Sequence, residues 1–188
     1  MKTINIYPAG GVQKGEHDKG KVSWADEDMN VFRRLLAPAN VNFIDPRYRN
    51  DNLNDHFAVF GRDLMAVRVS DFVVVDGRQK RGVGVGQEML FAKLEGIPVI
   101  TVAPKESHYR KGKLHYLGQK VDDYVHPFIF STSDIIVENF EEAAGWIKEY
   151  LEKPVPIKGS RLTEDAIQAY MKKYMADDDH VNNAIKNG

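Results

Sequence analysis

The chain of 188 residues contains no cysteine, which excludes disulfides, thiolate nucleophiles and zinc–cysteine centres. An excess of either charge is also missing. Twenty-six basic residues stand against 27 acidic ones, so the balance gives no argument for a nucleic-acid polymer or a membrane surface as partner. No apolar run approaches the length of a membrane span. The opening MKTINIYPAGG enters a strand-like run at once, without a long apolar signal segment. A soluble, cytoplasmic protein is expected. The phosphate-loop pattern GxxxxGK[ST] and the nucleophile elbow GxSxG are absent. His17, His56, His108, His115, His126 and His180 are scattered and lack helical metal-binding spacing, so neither a metal nor a cofactor is expected.

What is present is a core. Hydrophobic residues make up 43% of the chain, enough for one domain with an appendage. Thr3–Tyr7 reads as a first strand stopped by Pro8-Ala9-Gly10-Gly11, and a polar, glycine-bearing loop follows to about Ser23. A helix with Val31, Leu35 and Leu36 on its buried stripe leads to a short strand at Val41–Ile44. A second helix from about Phe57 to Val69 spaces Phe57, Phe60, Leu64 and Val67 as one apolar face. Phe72–Val75 is continuously apolar, as befits a strand covered on both sides. The helix Gln87–Leu94, the strand Ile97–Ala103, a long polar connection over 105–125, the strand Ile135–Val137 and the helix Phe140–Leu151 complete the series. Strands alternating with helices predict an α/β three-layer sandwich, with a five-stranded parallel sheet in the flavodoxin-like order 2-1-3-4-5. The α/β domain spans 1–153. Lys153-Pro154-Val155-Pro156 opens a linker and a C-terminal helical tail over 154–188, its helix near Thr163–Met175.

The feature richest in chemistry is Gly82-Val83-Gly84-Val85-Gly86-Gln87-Glu88, between a buried strand and a helix. Glycines let a ligand approach the backbone, and a helix start favours an ionised carboxylate. Glu88 is therefore a candidate nucleophile. The same spacing also suits an ordinary first-turn acid that stabilises its helix. Ligands of open parallel sheets bind beyond the carboxyl ends of the strands. Those ends carry Tyr7 with Gly10 and Gly11, then Asp45, and then Asp76 with the glycine segment. Tyr7 could donate to Glu88 and hold it charged, or could simply fill the strand edge. The glycines do not fit a dinucleotide fingerprint, because they follow the third strand and read GxGxG. Arg78, Lys80 and Arg81 precede them. These three cations match a phosphate, and equally a solvated loop.

Four stretches, in order, resemble the nucleoside 2-deoxyribosyltransferase superfamily, which includes nucleoside 5′-monophosphate N-glycosidases. Ile4-Asn5-Ile6-Tyr7-Pro8-Ala9-Gly10-Gly11 is similar to its opening strand and glycine turn. Arg62-Asp63-Leu64 through Ser70-Asp71 and Phe72–Val75 resembles its second block. Gly84-Val85-Gly86-Gln87-Glu88 through Ala92, with Gly96-Ile97-Pro98-Val99-Ile100, resembles its nucleophile helix. His126-Pro127-Phe128 and Phe140-Glu141-Glu142-Ala143 resemble its closing segment.

The resemblance implies Glu88 as nucleophile, Tyr7 as the residue orienting it, and Asp63 as the carboxylate serving the base. It further implies double displacement at the anomeric carbon of a (deoxy)nucleoside or its 5′-monophosphate. Gly10, Gly11, Asp45, Gly82, Gly84, Gly86, Arg78, Lys80 and Arg81 are then the expected substrate contacts, and a homo-oligomer is expected, with the 105–125 segment near a neighbour's site. Two positions depart from the pattern. Gly82 stands where transferases carry an acid, and Asp122-Asp123-Tyr124-Val125-His126 has no Asn. The competing readings are an NAD- or cytokinin-type N-glycohydrolase on a related scaffold, and a non-catalytic nucleotide sensor.

Overall fold

A computed structural model describes residues 2–11 and 23–186. The polar loop expected after Gly11, with His17, lies outside the described residues. Strands β1 (Thr3–Ala9), β2 (Asn40–Phe43), β3 (Phe72–Asp76), β4 (Val99–Val102) and β7 (Ile135–Val137) form one sheet in the order β2-β1-β3-β4-β7. Every pairing in it is parallel. This is the expected α/β sandwich, with β7 as its fifth strand.

The alternation of side chains along β3 explains its continuous apolar run. Phe72 and Val74 join Ile4, Ile6, Phe32, Phe140 and Ile147 on one face, where α1 (Asp26–Leu35) and α5 (Phe140–Glu152) pack. Val73 and Val75 join Tyr7, Val67, Val85 and Met89 on the other, where α2 (His56–Arg68), α3 (Val83–Leu94) and α4 (Pro127–Thr132) pack. All five residues of β3 are buried.

Several elements differ from the sequence expectation. The connection over 105–125 contains an antiparallel hairpin of β5 (Arg110–Tyr116) and β6 (Gln119–Val125). Leu117 and Gly118 form its turn, both with positive φ, the geometry of a two-residue hairpin loop. Neither strand has a buried face, so no apolar alternation marks them.

Second, α3 starts at Val83 rather than Gln87, with Gly82 as its cap residue. Gly84 and Gly86 are thus helical and Glu88 lies in the second turn. Third, only the carboxyl half of α2 is packed. Ala66 and Val67 are buried, whereas Phe57 is 85% exposed and Phe60 is 46% exposed. Asp55 caps this helix by accepting from the backbone N–H of Ala58.

The C-terminal segment is tied to the domain before its helices begin. Asp134, just ahead of β7, accepts from the buried Lys93 ammonium, from the Val99 amide at 2.7 Å and from the Lys158 amide at 2.8 Å. The Lys158 ammonium donates to the carbonyls of Phe130 and Ser133. Beyond it, α6 (Leu162–Lys173) and α7 (Asp179–Lys186) bury no residue. The aspartates at 177–179 lead into α7. Asp178 accepts from the Tyr170 hydroxyl and from the Val181 amide.

Candidate active site

Tyr7 sits near the carboxyl end of β1 and is fully buried. Its hydroxyl donates to Oε1 of Glu88 across 2.9 Å, joining β1 to α3. Burial raises the Tyr7 phenol well above its ordinary value, and the Glu88 charge adds to that rise, so Tyr7 is a donor over the whole accessible pH range.

Glu88 departs from the expectation that helix start and tyrosine together keep it ionised. Burial pushes its carboxyl up to about 7; the Tyr7 hydrogen bond acts in the opposite direction, and the charge of Asp63 adds to the rise. The helix dipole falls off within the first turn, and Glu88 lies beyond it because α3 begins earlier than the sequence suggested. The result is a carboxyl group that changes charge near neutral pH. Perturbed carboxyls of this kind concentrate at functional sites.

The backbone beside it is open. A side chain at Gly84 would begin 4.0 Å from Oε1 of Glu88, and nothing lies within 4 Å of the corresponding positions at Gly82 and Gly86. Two glycines inside a first helical turn cost helix stability, roughly 0.5–1 kcal/mol each relative to alanine. No packing at Gly86 explains that cost.

Asp63, on α2, is close enough to act on both Glu88 and Tyr7. Its oxygens accept from Arg49 Nη1 at 3.3 and 3.4 Å, and Oδ1 also accepts from Arg62 Nη1 at 3.2 Å. Sequence reasoning missed both arginines. Arg62 adjoins Asp63 in the chain, but only folding brings Arg49 to it.

The remaining candidates have other partners. Asp45 is buried and held by the Arg47 guanidinium, whose Nη2 lies 2.6 Å from Oδ2. The hollow lined by Gly10, Gly11, Trp24, Asp45 and Arg47 has a volume of about 10 Å³, no larger than one water position. Gly10 is required by packing, since a Cβ there would stand 2.9 Å from the Trp24 ring.

Arg78 donates to both oxygens of Asp76 and to Asp28, with its guanidinium 4.8 Å from the Phe140 ring centroid. The Arg81 side chain is 4% exposed and lies 2.6 Å from Asp76, while its amide donates to the Tyr109 hydroxyl. Lys80 is exposed. Two of the three expected phosphate-binding cations are thus engaged with carboxylates.

Among the described residues, no group of three or more His, Asp or Glu side chains is placed to hold a metal, and no helix is long and apolar enough to cross a membrane. No protein-family pattern matches the chain, and sequence comparison with curated proteins finds no match. Among solved structures, the chain is similar to a CMP N-glycosidase of Clostridium botulinum at 12% identity and a TM-score of 0.39. The likeness covers 78% of this chain and 99% of that one.

Proposed function

We propose that this protein cleaves or transfers the N-glycosidic bond of a (deoxy)nucleoside or its 5′-monophosphate through Glu88. The observation carrying this reading is the Tyr7–Glu88 hydrogen bond of 2.9 Å at the carboxyl edge of the sheet, beside the open backbone of Gly84. The ionised Glu88 carboxylate attacks C1′, the C1′–N bond breaks with its electron pair passing to the base, and a glycosyl ester forms. Water resolves the ester in a hydrolase, and a second base in a transferase. Tyr7 holds the attacking carboxylate in one rotamer, and Asp63 serves the base. Because Glu88 titrates near 7, turnover rises through neutral pH and levels off above it.

A 5′-phosphate would meet Lys80 rather than all three expected cations, since Arg78 and Arg81 are held by Asp76 and Asp28. One exposed cation contributes at most about 1 kcal/mol, so a monophosphate gains tenfold or less over its nucleoside. The deciding experiment incubates the protein with deoxynucleosides, their monophosphates and NAD, with and without a free acceptor base, from pH 5 to 9. Base release without acceptor identifies a hydrolase, and base exchange a transferase. Binding with no turnover anywhere in the panel sinks the reading. We further propose a homo-oligomer in which the β5–β6 hairpin approaches a neighbour's site. Sedimentation of the full chain as a monomer at assay concentration overturns that arrangement.

A further inference from the structure

Two arginines each place one end of a guanidinium on the loop after β2 and the other on Asp63. Arg49 grips Asp51 through Nε at 2.7 Å and Nη2 at 2.5 Å, leaving Nη1 to reach Asp63 at 3.3 Å. Arg62 donates through Nη2 to the Tyr48 carbonyl at 2.8 Å and through Nη1 to Asp63 at 3.2 Å. The contacts to Asp51 are short and reach both of its oxygens, so Asp51 sets the orientation of Arg49. The longer contacts leave Asp63 a quarter exposed, with side-chain exposure of 25% against 17% for Arg49 and for Asp51.

We propose that Arg49 is a positioning residue of the catalytic site: anchored by Asp51, it fixes Asp63 in place and balances that carboxylate's charge beside Glu88. The inference rests on the functional reading above and extends it to a residue that touches neither Glu88 nor Tyr7.

The charged and titratable groups involved come from four elements. Glu88 on α3 faces Tyr7 from β1 and Asp63 from α2, and Asp63 faces Arg62 from its own helix and Arg49 from the loop. Asp63 acts on Glu88 in the direction that favours its proton. A cation on Asp63 offsets that influence, so removing Arg49 favours the proton further. Lysine cannot replace the fork, because it lacks the planar pair of donors that spans Asp51 and Asp63.

The test follows the Glu88 side-chain carboxyl carbon by NMR during a pH titration of the full chain without substrate. Arg49→Gln is expected to raise the Glu88 midpoint by roughly half a unit or more, and Asp63→Asn to lower it. In the Asp63→Asn background, Arg49→Gln is expected to shift the midpoint less, because the direct influence of the guanidinium charge remains while the part exerted by holding Asp63 is gone. An unchanged midpoint in Arg49→Gln, or a shift of equal size without Asp63, overturns the proposal. Arg49→Met, which keeps the aliphatic stem, serves if the glutamine variant does not fold. In turnover, Arg49→Gln is expected to lower kcat/KM about tenfold at pH 7, with its acid limb following the Glu88 midpoint. The titration needs no turnover, so an inactive wild-type protein would overturn the functional reading while leaving the electrostatic result to be read separately.

Discussion

Glu88→Gln is expected to reduce turnover on the order of 10³-fold or more and, above pH 7, to make the protein more stable than the wild type. The first effect follows from removing the proposed nucleophile while keeping an oxygen that accepts from Tyr7. The second follows from proton linkage. The folded-state value of Glu88 is raised from 4.5 to about 7 by burial first, so the folded protein retains a proton that the unfolded chain releases between those values. Wild-type stability therefore falls as pH rises from about 4.5 to about 7, and the deficit is complete above that window. Its size is about 2–3 kcal/mol, taking the shift as an order of magnitude for a half-buried group. Glutamine has no proton to release. Denaturant unfolding of both proteins at pH 4.5 and pH 8 measures the difference, which is expected to be absent at the lower pH. Parallel pH dependence in the two would rule out Glu88 as the perturbed group.

Asp134→Ala is expected to destabilise the fold by about 3–5 kcal/mol at neutral pH, the usual cost of stranding a buried charge. Lys93 is fully buried on α3, and Asp134 is the carboxylate that compensates it. Burial already holds the Lys93 ammonium below its ordinary value, and Asp134 acts against that depression. Without Asp134 the ammonium loses its partner, and the Val99 and Lys158 amides lose an acceptor. Adding Lys93→Met should recover a substantial part of the loss, because an apolar chain of similar length suits the same space. A single variant as stable as wild type, or a double variant no better than the single, would show that the pair does not hold the structure together.

The parts of the fold legible in the sequence were those governed by burial on two faces. Phe72–Val75 announced a central strand because no position in it can face water. The sheet order followed from helices alternating with strands. Tyr7 and Glu88 could be assigned to one edge of the sheet from the order of elements, and the structure joins them by a hydrogen bond.

Less legible was anything that depends on a distant partner. No residue of the β5–β6 hairpin is fully buried, so no strong apolar alternation marks its strands, and Leu117 is an unusual residue for a turn with positive φ. Gly84 and Gly86 read as loop because propensity disfavours glycine in helices, yet the helix runs through them. Phe57 and Phe60 have helical spacing, yet both stay exposed. Arg49 and Lys93 show nothing local that names Asp63 or Asp134. Arg78, Lys80 and Arg81 look equivalent in sequence, and only the position of Asp76 separates the two held cations from the exposed one.

The glycine turn of α3 has a consequence for motion. Helix ends open more readily than helix centres, and glycine lowers the free energy of that local opening further. Val85 within the turn, and Met89 and Ala92 beyond it, are locked into the core. Val83 and Gly84 can fray ahead of the first locked position, whereas Glu88 lies between Val85 and Met89 with the Tyr7 hydroxyl of the rigid sheet as its brace. The first residues of the helix can yield to an entering molecule while the carboxylate itself keeps its bearing.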